Sequence, residues 1–115
     1  MERIIKKTPY RKTAASAARV ISSKKAEETV IYDVRKLTSF TDYIIISTVN
    51  SSAQLEAVSR ELKEKLDLKP DHTENGEGGW MLIDYGGFVV NLFFPESREF
   101  YGLERIWGEA AKVRF

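Results

Sequence analysis

Three aspartates on separate apolar segments, Asp33, Asp42 and Asp84, are the residues whose type best suits chemistry. Carboxylates brought together from neighbouring strands can hold a magnesium ion. Strand aspartates more often sit at edges or bind backbone groups, so neither a metal nor another cofactor is expected. His72 is the sole histidine and stands beside Pro70 in a polar turn, which suits a solvated loop residue better than a ligand. NGEGG (75–79) lacks the lysine and following helix of a phosphate-binding loop. TVNSS (48–52) precedes a helix and could face an anion, but a capping role for Ser51 accounts for it. There is no cysteine, which excludes disulfides and thiolate chemistry and fits a reducing cytoplasm.

The elements that would carry these residues are legible in outline. Ala14, Ala17, Ala18 and Ile21 recur at helical spacing and predict a helix from Ala14 to about Glu28. Thr29–Val34 and Phe40–Thr48 are β-branched and aromatic, predicting two strands joined by a short link and paired antiparallel. Ser51 and Gln54 form a capping box ahead of Leu55, Val58, Leu62 and Leu66, one apolar face of a helix ended by Lys69-Pro70. Asp71–Glu74 is a short candidate strand. Trp80–Tyr85 and Phe88–Phe94 flank Gly86-Gly87 and predict a hairpin. Glu96–Trp107 reads as a short helical region with Leu103, Ile106 and Trp107 on one face.

A turn at Gly86-Gly87 fixes the hairpin register. Tyr85, Ile83 and Met81 oppose Phe88, Val90 and Leu92, giving one wholly apolar face that must be core. The other face sets Asp84 opposite Val89, Leu82 opposite Asn91, and Trp80 opposite Phe93. Polar groups in its middle argue against deep burial, because an unpaired carboxylate is costly to bury. Aromatics at its end argue against a plain solvated surface. Such a mixture is the composition of a protein interface.

One domain is expected from 115 residues, with 43% hydrophobic and 30% charged content. The longest apolar run falls far short of the roughly 20 residues that span a bilayer, so no membrane partner is expected. Net charge is +1, unevenly placed: residues 1–25 hold eight Lys/Arg against Glu2 alone, leaving the remainder at −6. This predicts a basic arm over residues 1–13 ahead of a single domain over 14–115, with the arm suited to RNA phosphates.

The run KKAEETVIYDVRKLTSFTDYIIISTVNSSAQLEAVSRELKEKL, followed by WMLIDYGGFVVNLFFPESREFYGLERIW, resembles the ribosomal silencing factor (Iojap) family. The likeness covers roughly residues 14 to 107. It rests on Lys25-Ala26-Glu27, Asp33-Val34, Thr41-Asp42-Tyr43, the Trp80-to-Gly86 strand and turn, and Pro95, Arg98, Phe100-Tyr101, Leu103-Glu104 and Trp107 in order. The resemblance implies an α/β fold: a mixed β-sheet of about five strands flanked by helices, nucleotidyltransferase-like without the catalysis. Thr48-Val49-Asn50-Ser51-Ser52 lacks the Gly-Ser pair that such an enzyme would need there. The resemblance also implies binding to the large ribosomal subunit through large-subunit protein fourteen, which blocks joining with the small subunit and represses translation. Organelle relatives act in subunit assembly. Asn91 replaces a histidine common in the family and Gly87 an acidic residue, so partner affinity could differ.

The expected reading is therefore a cytoplasmic binding module rather than an enzyme. Its anchors are Trp80, Leu82 and Phe93, with Asp84 and Asn91 as polar contacts and Tyr101 and Trp107 from the closing segment. Exposed aromatics could as readily pair two copies of the chain as a homodimer. The alternatives are a magnesium-dependent nucleotidyltransferase-like enzyme using Asp33, Asp42 and Asp84, or a ribosome assembly factor.

Overall fold

The computed structural model describes residues 10–76 and 78–115. The elements run α1 (Tyr10–Ser23), β1 (Glu27–Asp33), β2 (Tyr43–Thr48), α2 (Ser52–Lys65), β3 (His72–Gly76), β4 (Trp80–Asp84), β5 (Phe88–Phe93), α3 (Pro95–Tyr101), a 3₁₀ turn (Leu103–Arg105) and β6 (Ala111–Val113). They build one six-stranded sheet in the order β3-β4-β5-β2-β1-β6. Only β2 and β5 run parallel; the other neighbours are antiparallel. The fold is thus the expected mixed α/β sheet with flanking helices, with one strand more than expected.

The two faces of the sheet are covered differently. On the first, α1 and α2 pack over Ile31, Tyr43, Ile45, Phe88, Val90 and Leu92. Alanines at 14, 17 and 18 are fully buried, because small side chains let α1 lie close on the strands. The hairpin register is the expected one, pairing Ile83 with Val90 and Met81 with Leu92, and all six core-face residues are buried. On the second face, a smaller cluster of Tyr32, Val34, Ile44, Ile46, Val89 and Phe93 lies beneath Leu103, Trp107 and Ala110 of the closing segment. That segment covers the β1–β2 side and leaves Leu82 and Asp84 of β4 partly open.

Local chemistry sets the element ends. Ser51 accepts from the Gln54 amide at 3.0 Å, and the Gln54 side chain accepts from the Asn50 amide at 2.7 Å, so the helix start is capped from both directions. α1 begins at Tyr10, inside the stretch expected as a basic arm, and ends at Ser23 rather than near Glu28. The chain turns at Lys25 with φ +66° and immediately enters β1. The expected boundary between residues 13 and 14 falls within this helix, and residues 1–9 of the expected arm lie outside the described residues. The ring of Tyr10 lies on the backbone of Gly87, where no Cβ would fit.

Three expectations need correction. β2 starts at Tyr43, so Phe40 is not a strand residue but an exposed loop residue. The expected helical region 96–107 is broken at Gly102, whose φ of +55° ends α3 and opens the 3₁₀ turn. As a result Ile106 points outward while Trp107 is buried. β6 was not anticipated; it pairs Ala111 and Val113 with Asp33 and Ile31 of β1.

Candidate functional site

The second face of the sheet is organised around Trp80. Its ring stacks on Phe93 with centroids 5.0 Å apart and 29° between planes, and Tyr101 from α3 leans on it at 5.0 Å and 47°. The indole Nε1 donates to Asn91 Oδ1 at 3.0 Å, and Asn91 Nδ2 donates to the Ile45 carbonyl at 3.3 Å. Trp80 is half-buried. Leu82 and Asp84, two and four residues along β4, are also partly exposed.

Other expected contact residues lie beneath this surface. Asn91 is 1% exposed, which corrects the expectation that polar groups keep the face shallow. An amide with a donor on one side and an acceptor on the other can be buried without an unmet hydrogen bond. Phe93 is fully buried, and Trp107 is 9% exposed. Both support the surface from within rather than forming it. Tyr101 is exposed and joins Trp80 directly.

The structure adds exposed residues to the expected contact set. Phe100 is 80% exposed and sets its ring edge-on to Tyr101 at 5.2 Å. Phe40 and Ile106 are 64% and 65% exposed, and Phe40 tilts against Trp107 at 6.2 Å. Large exposed apolar side chains therefore stand at Phe100 and Tyr101, whose rings touch, and separately at Phe40 and at Ile106. Adjoining exposed apolar side chains such as Phe100 and Tyr101 mark interaction surfaces. Phe40 reads from the sequence as the first residue of a strand, and nothing in that reading marks it as exposed.

The three aspartates do not converge. Asp33 is held by Arg35 at 2.7 Å, whose guanidinium keeps its carboxyl below the ordinary range. Asp84 Oδ1 accepts from the Gly86 amide at 2.7 Å and closes the hairpin turn. Asp42 is buried beside the Gly87 carbonyl, to which its own backbone N–H donates at 3.0 Å. Among the described residues no group of three or more His, Asp or Glu is placed to hold a metal. His72 is exposed on β3, 3.4 Å from Glu74.

A polar network braces the closing segment. Arg98 of α3 forks onto Glu104 at 2.8 and 3.1 Å, and Glu104 also accepts from the Tyr32 hydroxyl at 3.0 Å. Hydrogen bonding to Arg98 holds the Glu104 carboxyl below its ordinary range. Burial, assisted by Glu104, pushes the Tyr32 phenol up to about 12.

With this geometry in hand, the comparisons decide the lineage. A family model described as "Ribosomal silencing factor during starvation" matches residues 7–115. The chain belongs to the ribosomal silencing factor family. It is 34% identical to the ribosomal silencing factor RsfS of Bacillus subtilis, over 82% of this chain and 83% of that one. It is 36% identical to the chloroplastic protein Iojap of Zea mays over 87% of this chain, and the match spans 45% of the maize protein. A crystal structure of a Chromobacterium violaceum protein superposes with a TM-score of 0.79 at 28% identity, covering 88% of each chain. Membership of the ribosomal silencing factor family ties the chain to the ribosome and to translation regulation. Among the described residues no helix is long and apolar enough to cross a membrane.

Proposed function

We propose that this silencing factor binds the large ribosomal subunit through large-subunit protein fourteen, and that its bulk then blocks joining with the small subunit and represses translation. The observation that carries the reading is the Trp80 indole. It is half-open, stacked on Phe93, and tied by its N–H to a buried amide. A large aromatic held in one orientation is the kind of anchor that dominates protein interfaces. Trp80, Leu82, Asp84 and Tyr101 form the contact surface. Asn91, Phe93 and Trp107 form its floor, and Phe100 extends it through its edge-on contact with Tyr101. Steric blocking requires no catalytic residue, so the protein acts as a binding module rather than an enzyme, in the cytoplasm.

Arg11 and Lys12, exposed near the start of α1, together with the basic residues before them, supply attraction to ribosomal RNA phosphates. The acidic Asp84 suits a basic ribosomal protein and speeds encounter.

Co-sedimentation with purified large subunits tests the reading. Trp80→Ala, folded by circular dichroism, should bind about 30-fold more weakly, corresponding to roughly 2 kcal/mol for a lost aromatic anchor. Undiminished co-sedimentation of a folded Trp80→Ala protein would reject it. Sedimentation of the free protein at several concentrations shows whether two copies pair through the same face instead.

A further inference from the structure

We propose that Arg98 and Glu104 are positioning residues, a charged clamp that sets where Tyr101 meets Trp80 and so shapes the contact surface. The proposal rests on the reading of this face as partner-binding. Its starting point is a shortage: neither α3 nor the 3₁₀ turn after it contains a buried residue. A seven-residue helix with no buried residue has little hydrophobic reason to stay in one place. Yet it carries Tyr101, whose ring sits 5.0 Å from Trp80 and 6.2 Å from Phe93.

The clamp adds a polar restraint to the packing of Leu103 on the second cluster and the hydrogen bond of Ser97 to the Gly78 carbonyl. The Arg98 side chain is only 11% exposed. Its Nε and Nη2 grip both Glu104 oxygens, closing the bend around Gly102. Its Nη1 donates to the Glu28 carbonyl and to Thr48 Oγ1, each at 2.9 Å. Glu104 in turn accepts from Tyr32. The bend is thereby bolted to β1 at two points and to β2 at one. A guanidinium can do this because its N–H groups form a rigid planar fork; an ammonium cannot.

The main chain of β1 bends to meet the clamp. Glu28 has φ +49°, a left-handed conformation that a residue with a Cβ rarely adopts, and it lies where the β1–β2 register shifts between Glu27 and Val30. The carbonyl of that residue is one of the Arg98 acceptors. Strained backbone persists where surrounding contacts over-determine it. Here the Arg98 hydrogen bond is one of those contacts, beside the Ser47 hydroxyl, which bonds Thr29 and the Glu27 carbonyl on either side.

Ring-to-ring nuclear Overhauser effects between Trp80 and Tyr101 test the proposal directly. Arg98→Lys keeps the cation but loses the fork, and Glu104→Gln keeps an acceptor for Tyr32 but loses the charge. Both should lose most of the Trp80–Tyr101 cross-peak intensity, leave the core methyl signals of Ile45 and Val90 in place, and bind large subunits roughly tenfold more weakly. If Arg98→Lys fails to fold, Glu104→Gln decides. Unchanged Trp80–Tyr101 cross-peaks in the folded variants would overturn the clamp, whatever their affinity. Lost cross-peaks with unchanged subunit binding would leave the clamp standing and refute its role in shaping the contact surface. Undiminished binding by Trp80→Ala in parallel would refute the interface reading alone, since the ring measurement does not depend on it.

Discussion

The indole of Trp80 and the amide of Asn91 are joined across β4 and β5 by a 3.0 Å hydrogen bond, and the same amide reaches on to Ile45 of β2. An aromatic anchor is thereby connected through one buried side chain to the central strand of the sheet. Asn91→Leu keeps the volume roughly but orphans the indole N–H. It should destabilise the fold by about 1–3 kcal/mol, the cost of an unmet buried polar group, and shift the Trp80 indole proton resonance. Asn91→His offers a ring nitrogen to the indole and should lose less than Asn91→Leu. Chemical denaturation ranks the two.

Gly87 and Tyr10 form a second pair whose sizes are matched. A Cβ at position 87 would overlap the Tyr10 ring. Gly87→Ala should cost roughly 1–3 kcal/mol, the range for forcing extra volume into a packed site, and should fray the start of α1. Tyr10→Ala made together with Gly87→Ala should recover part of that loss. A double-mutant cycle by thermal unfolding measures the coupling, and strictly additive effects would show that the ring simply moves aside.

The strain at Glu28 predicts an ordering of variants. Glycine reaches left-handed φ without steric cost, whereas a β-branched residue does not. Glu28→Val should therefore be less stable than Glu28→Gly by roughly 1–2 kcal/mol. The side chain of Glu28 is exposed, so the comparison reads the backbone rather than lost contacts.

Stability should hold a plateau near neutral pH and fall on both sides. Glu104 and Asp33 have folded-state pKa values lowered by Arg98 and Arg35 from ordinary values of 4.5 and 3.8. Their contribution is complete above those ordinary values and is lost as pH drops through the lower folded ones. Tyr32 is raised from 10.0 to about 12, so its contribution is complete below pH 10 and is lost as pH rises through 12. Tyr85, raised by burial, acts in the same direction. Tyr32→Phe should make the alkaline fall shallower without abolishing it, and Arg98→Met should do the same for the acid fall. Unfolding midpoints from pH 3 to pH 12 provide the check, and an alkaline limb unchanged by Tyr32→Phe would contradict the assignment.

What could be read in the sequence was what local pattern determines. Gly86-Gly87 and the alternation around it gave the hairpin register, and the Ser51–Gln54 box gave the start of α2. What escaped depends on partners distant in the chain. Asn91 read as a group too polar to bury because the Trp80 indole and Ile45 carbonyl that satisfy it lie on other strands. Ala111-Lys112-Val113 carries no strand pattern of its own and becomes β6 only through pairing with β1. Arg98 and Glu104 were noted as part of a resemblance, but their link to Tyr32, Glu28 and Thr48 is visible only once β1 and β2 are set beside α3. The outward turn of Ile106 follows from the break at Gly102, where a glycine in the left-handed region ends α3.

The lone parallel seam between β2 and β5 bears on how the chain reaches this arrangement. Its partners Tyr43 and Phe88 are brought together from opposite halves of the sequence, whereas the β1–β2 and β3–β4–β5 ribbons close over short links and the β1–β6 pairing spans still more of the chain. Loop closure on that scale is the slow event in small α/β domains. The β1–β2 and β3–β4–β5 ribbons should thus gain structure early, with protection of amides at the β2–β5 seam and at the β1–β6 edge against hydrogen exchange arriving later during refolding.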